Sequence, residues 1–191
     1  MIARIALLCS LLFSAGTLGA AEVGGVRIPD AVKVGGADLV LNGAGVRTRA
    51  VFKVYVGALY LPEKKTTAND ALAQKGPKRV ALHLLRDLTA EQLGGALNDG
   101  LAANLSDAER AQFKAQIDEL KATMEAVGAA KEKSVVTLDF APDGGTRVAL
   151  DGTTRGKPIP GEDFYRALLR IWIGDKPVDR TLKAAMLGQP G

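Results

Sequence analysis

Val46-Arg47-Thr48-Arg49-Ala50-Val51-Phe52-Lys53-Val54-Tyr55-Val56-Gly57-Ala58-Leu59-Tyr60 is the stretch from which the fold is read. Its richness in Val, Phe, Tyr and Leu predicts a β-strand, with a bend or bulge near Gly57, closed by Pro62. In a regular strand Arg47, Arg49, Val51, Lys53 and Tyr55 share one face, and Thr48, Ala50, Phe52, Val54 and Val56 the other. A face carrying Arg, Lys and Tyr in so apolar a segment either meets solvent or forms the polar floor of a cleft. The second case has definite chemistry. A guanidinium is a fixed cation with a fork of donors suited to a carboxylate or phenolate oxygen, and a nearby tyrosine hydroxyl can address the same oxygen. Such a pair could bind an anion or stabilise charge that develops in a reaction.

Working outward, residues 26–41 alternate short apolar pieces with Pro29, Gly35 and Gly36, predicting short strands and tight turns. Asn42-Gly43-Ala44-Gly45 reads as a second break. Downstream, Thr67 and Asp70 cap a short helix through Gln74, and Arg79 to Leu85 is a strand with Val80, Leu82 and Leu84 on one face. Thr89 with Gln92 forms a capping-box pattern ahead of Leu93, Leu97, Leu101 and Leu105, one apolar stripe of a helix. Ser106 with Glu109 repeats the start signal, and the next helix carries Phe113, Ile117, Leu120, Met124 and Val127 to Gly128. Ser134 to Phe140 returns to strand, and Asp143-Gly144-Gly145 turns into a strand over Thr146 to Leu150. A helix from Asp163 bears Phe164, Leu168 and Trp172, and a shorter one after Pro177 bears Leu182, Ala185 and Met186. The expected fold is α+β, an antiparallel sheet with helices packed on one face and no domain linker.

The amino terminus has the layout of a secretory signal peptide: Arg4, an apolar run from Ile5 to Phe13, and small residues ending Gly19-Ala20-Ala21. Cleavage after Ala21 is expected, leaving residues 22–191 as one periplasmic domain; an uncleaved anchor is the alternative. The lone cysteine, Cys9, falls in this leader, so the mature chain has neither a disulfide nor a thiol nucleophile. The net charge of +4, from 25 Lys and Arg against 21 Asp and Glu, includes no dense basic tract, so no nucleic-acid partner is expected. With a single histidine a zinc site would need an unusual carboxylate-heavy ligand set, and no nucleotide-binding glycine loop is present. No cofactor or metal is therefore expected.

The remaining polar candidates are weaker. His83 lies opposite Val80, Leu82 and Leu84 with no serine in a nucleophile-elbow setting, which favours a structural or surface role. Tyr60 and Tyr165 are read as hydroxyl anchors at the edge of the core, and Trp172 with Leu168 as helix core or the mouth of a pocket. Asn98 and Asn104 are expected at the boundary or in solvent. Asp87, Asp99 and Asp139 are too scattered to pair.

Asn42-Gly43-Ala44-Gly45-Val46-Arg47, then Phe52 to Leu61, the helix Thr89 to Leu105, and Ile171-Trp172-Ile173-Gly174-Asp175-Lys176-Pro177 within Phe164 to Gly188 together resemble the bacterial branch of the chalcone isomerase-like proteins. The resemblance covers nearly the whole mature chain and rests on the order and spacing of segments. It implies an open-faced β-sandwich, a large antiparallel sheet and a helical layer enclosing a ligand cleft. Plant enzymes of this fold close a flavanone ring, whereas related plant proteins bind fatty acids or assist a pathway without catalysis. By the resemblance, the arginine that meets the substrate oxygen falls on Arg47 and a strand threonine on Tyr55. The helix tyrosine that supports the reacting ketone falls near Leu93, and an asparagine falls on Gly100, with Asn98 as a near neighbour.

Leucine and glycine supply no donor, so ring closure loses two expected groups. Arg47 and Tyr55 could still hold an acidic head, and the ligand-binding candidates are Arg47, Tyr55, Lys53, Leu93, Leu97 and Asn98. The expectation is a non-catalytic periplasmic binding protein for a small amphipathic, fatty or aromatic acid. The alternatives are an intramolecular lyase or isomerase acting on an enone or phenolic substrate through Arg47 and Tyr55, and an envelope domain that binds a protein partner.

Overall fold

The structure, a computed structural model, describes residues 19–189. Cys9 and the apolar run Ile5 to Phe13 of the expected leader lie outside the described residues. The chain begins with a two-stranded hairpin, β1 (Ala20–Val23) and β2 (Val26–Pro29). It continues through β3 (Ala31–Val34), β4 (Ala37–Arg49), β5 (Phe52–Leu61), α1 (Ala68–Ala73) and β6 (Lys78–Leu84). Three helices follow, α2 (Ala90–Asn104), α3 (Asp107–Gln112) and α4 (Lys114–Val127), then β7 (Val135–Ala141), β8 (Gly145–Leu150) and β9 (Thr153–Ile159). The described chain finishes with α5 (Glu162–Ile173) and α6 (Arg180–Met186). Strands β3 to β9 pair in chain order, each antiparallel to the next, in one large sheet that curls into a half-barrel under a layer of helices.

Alternation along the strands sorts side chains into two cores. Leu59, Leu61, Val80, Leu82, Leu84, Val136 and Leu138 face the helices and pack with Leu97, Leu101, Met124, Leu168 and Trp172. Val56, Ala58, Tyr60 and Ala81 face the other way, against Ile28 of the β1–β2 hairpin, Val34 and Leu39. Both capping boxes form: Thr89 with Gln92 opens α2, and Ser106 with Glu109 opens α3. The α2 stripe Leu93, Leu97, Leu101 and Leu105 is buried throughout.

Four local expectations are corrected. The opening stretch is two strands, not one: it reverses at Ala50-Val51, where Ala50 takes φ +54°. Asn42-Gly43-Ala44-Gly45 is continuous β4, and its glycines serve close packing. A Cβ on Gly43 would lie 2.1 Å from the Ala185 carbonyl oxygen, and one on Gly45 2.6 Å from the Ala185 Cβ, so α6 rests directly on the strand. The expected helix from Ser106 to Gly128 is split at Phe113, which caps α3 and precedes α4. A third C-terminal strand, β9, was not expected; it follows an Asp151-Gly152 turn with φ of +50° and +78°, the residue pair typical of tight hairpins.

Candidate functional site

The β4–β5 hairpin decides what the sheet presents to the helices. Directly paired residues of an antiparallel ladder lie on the same face. The register pairs Arg47 with Tyr55, Thr48 with Lys53, and Arg49 with Phe52, with a shift between the first two pairs. The irregularity leaves Val54 as the extra residue of β5, so Phe52, Val54 and Tyr55 all turn toward the helices. Regular alternation had set Tyr55 apart from Phe52 and Val54. The bulge also removes Lys53 from the face it was expected to share with Arg47 and Tyr55: it is exposed and does not line the cavity.

Beneath the helices lies a cavity of about 280 Å³. Its walls are Leu93 and Leu97 from α2, Met124 from α4, Ile171 and Trp172 from α5, and Val54, Leu82, Val136 and Leu138 from the sheet. Its polar groups are Arg47, Tyr55, Arg49, Arg86 and Gln92, of which Arg49, Arg86 and Gln92 are exposed. Of the six candidates, the fold brings four to this cavity: Arg47, Tyr55, Leu93 and Leu97. Asn98 is exposed and lines shallow surface depressions on another side of α2.

Tyr55 is 4% exposed and accepts a hydrogen bond from the Trp172 indole N–H at 2.9 Å. Arg47 packs against it, with the guanidinium carbon 5.4 Å from the ring centroid, a cation–π arrangement. Burial pushes the Tyr55 hydroxyl above its ordinary pKa, partly offset by the Arg47 charge and the Trp172 hydrogen bond. The phenol therefore stays protonated at neutral pH, and its own O–H remains a donor. Arg47 is half-buried, and its Nε is buried without a hydrogen-bond partner among the described residues. Such a group in a cavity is the type of site that an acceptor atom satisfies.

The rear of the site is fixed by α6. Asp179 caps this helix through Leu182 N–H at 3.0 Å and accepts Thr48 N–H at 3.0 Å, pinning the strand beside Arg47. At the equivalent of the expected asparagine, Gly100 meets α5 so closely that a Cβ would lie 2.7 Å from Ile171 Cγ2. That position serves helix packing and is not in the cavity lining. Asn104, expected at the boundary, is buried: it donates to the carbonyls of Gly100 and Lys176 and accepts Lys176 N–H. It fastens the end of α2 to the loop after α5.

Other candidates fall away from the cavity. His83 is half-buried in β6 on the face of Ala81, and burial lowers its pKa. Tyr60 and Tyr165 donate to the carbonyls of Pro29 and Leu138. Asp139 pairs with Arg79, and Asp87 with Lys131. Among the described residues no group of three or more His, Cys, Asp or Glu is placed to hold a metal ion. Sequence reasoning missed Arg86, which follows β6, and treated Trp172 mainly as core; it lines the cavity and is itself buried. Leu168 remains in the core alone.

No curated protein matches the chain. Among solved structures it is similar to a fatty-acid binding protein of Arabidopsis thaliana, at 14% identity and a TM-score of 0.66, over 85% of this chain and 92% of that one. At that identity the likeness shows the fold. A family model described as chalcone isomerase-like matches residues 20–188, and with the half-barrel sheet, its helical layer and the cleft between them in place, the chain belongs to the chalcone isomerase-like family.

Proposed function

We propose that the chain is a non-catalytic binding protein for a small amphipathic acid. The carboxylate would lie between Arg47 and the Tyr55 hydroxyl, and the tail among Leu93, Leu97, Met124 and Trp172. The observation that carries this reading is the unpartnered, buried Arg47 Nε at the side of a largely apolar cavity. A carboxylate satisfies a guanidinium and a phenolic donor together, whereas an uncharged tail alone leaves both unmet. At about 280 Å³ the cavity lies just below the ~300–1,000 Å³ usual for ligand pockets, which favours a short or medium chain. The shared fold of a plant protein that binds fatty acids supports the same ligand class. Leu93 in place of a donor weighs against ketone activation, so ring closure is the lesser reading.

Titration calorimetry with medium-chain carboxylic acids and their matched alcohols tests the assignment. The acid is expected to bind better than the alcohol, and Arg47→Met to weaken the acid about ten- to hundred-fold, the usual worth of a hydrogen bond to a charged group. Equal affinity in wild type and Arg47→Met would overturn it.

We further propose, from the leader-like amino terminus, that the protein is periplasmic after removal of residues 1–21. Cleavage after Ala21 takes two residues of β1 and leaves Glu22 and Val23 paired with Arg27 and Val26. Mass spectrometry of the periplasmic fraction is expected to find a chain beginning at Glu22.

A further inference from the structure

The tip of the β4–β5 hairpin is the most apolar exposed point of the described surface. Val51 is 83% exposed and Phe52 59%, whereas the other large exposed hydrophobic residue, Val40, is 37% exposed. Around the tip stand three exposed cations, Arg49 and Lys53 on the strands and Arg86, whose guanidinium carbon lies 5.2 Å from the Phe52 ring centroid. Phe52, Arg49 and Arg86 also border the cavity, so the tip is its rim.

None of these three cations forms an ion pair with a carboxylate among the described residues. Asp87, beside Arg86, is held by Lys131 Nζ at 2.9 Å and by Glu132 N–H at 2.8 Å. Asp179 keeps its charge but is held beside Thr48 by backbone N–H groups of Thr48 and Leu182, outside ion-pair reach of Arg49, Lys53 and Arg86. Glu91 and Asp99 line an adjoining groove along α2 that shares Arg49 with the cavity, and neither forms an ion pair with that arginine.

Two exposed apolar side chains are too small a patch for a stable protein interface, which buries on the order of 1,000 Å² or more. A bilayer boundary suits them better: apolar side chains enter among the headgroups while flanking cations meet phosphates. We infer that the β4–β5 tip docks on an anionic bilayer surface, with Val51 and Phe52 inserted and Arg49, Lys53 and Arg86 at the phosphates. In that orientation the cavity rim faces the membrane, and an amphipathic guest passes between bilayer and cavity without crossing bulk water. The docking does not depend on what fills the cavity.

Co-sedimentation of the mature chain with vesicles tests it, comparing mixed phosphatidylglycerol–phosphatidylcholine with phosphatidylcholine alone. Binding is expected to the anionic vesicles, to fall with added salt, and to weaken about five-fold or more in Lys53→Glu. Val51→Asp, at a side chain outside the cavity, is expected to reduce it about ten-fold. A Val51→Trp variant is expected to show a blue shift in emission when anionic vesicles are added, reporting insertion. Equal binding to both vesicle types, or undiminished binding by Val51→Asp, would overturn the inference. So would a lipid-free dimer that Val51→Asp disperses, which assigns the tip to self-association. Arg47→Met separates the two readings: it is expected to lose the acid and keep the vesicles.

Discussion

The Trp172 indole N–H and the Tyr55 hydroxyl meet at 2.9 Å across 117 residues of sequence, joining the last turn of α5 to the strand that floors the cavity. Because the bond is buried, removing its acceptor leaves a desolvated donor. Tyr55→Phe is expected to cost about 1–3 kcal/mol, read as a lower urea midpoint at unchanged slope. Trp172 is the only tryptophan in the chain, so its emission reports this contact directly, in the variant and on addition of an acid.

Gly100 gives a prediction opposite to intuition. Installing the asparagine expected there, Gly100→Asn, adds no group to the cavity and drives a Cβ into Ile171, so stability should fall by about 1–3 kcal/mol without new ligand affinity. Thermal unfolding with acid binding measured in parallel checks both halves.

Lys78 is buried, its side chain 4% exposed, and its Nζ lies 3.1 Å from Glu162 Oε1 and 2.9 Å from the Gly76 carbonyl oxygen. Burial lowers the pKa of this lysine, and Glu162 offsets that effect. Glu162→Ala strands the cation and is expected to cost about 3 kcal/mol, whereas Lys78→Met with Glu162→Leu restores much of the loss. Chemical denaturation of the single and double variants distinguishes them.

His83 sets a pH dependence of known sign. Its folded pKa lies below 6.5 through burial, so the unfolded chain binds the proton more readily. Its contribution is therefore neutral above the unfolded pKa and becomes destabilising as pH falls from about 6.5 toward the lower folded value, then levels off. A His83→Gln variant is expected to lack that part of the acid slope when urea midpoints are compared across this range.

Periodicity and caps made most elements legible: the α2 leucines, both capping boxes and the Val80, Leu82, Leu84 face all announce themselves locally. The hairpin at Ala50-Val51 did not, because neither residue is a turn former and the left-handed backbone at Ala50 is imposed by the pairing around it. Once that turn is hidden, Arg47 and Tyr55 look like distant members of one strand when they are cross-strand neighbours. The bulge at Val54, which parts Lys53 from the cavity, has no signal in composition. Gly43 and Gly45 misled for a related reason: a glycine selected for close approach by a helix 140 residues later is locally indistinguishable from one selected for a bend. Strand β9 was obscured by Gly156 and Pro158, although Asp151-Gly152 marked its start. Asn104 is polar and boundary-like in sequence, and only the loop after α5 shows why it is buried.

The seating of α6 on the bare backbone of β4 has a consequence for biogenesis. Asn42 donates to the Met186 carbonyl 144 residues away, so a strand made early waits for a helix made late. The cavity wall likewise draws on Ile171, Trp172 and Val178, so a nascent chain cannot complete its pocket until nearly all of it has left the ribosome. Shortening the chain before residue 180 should leave the Gly43–Gly45 backbone of β4 bare and Arg47 on a strand that has lost its brace.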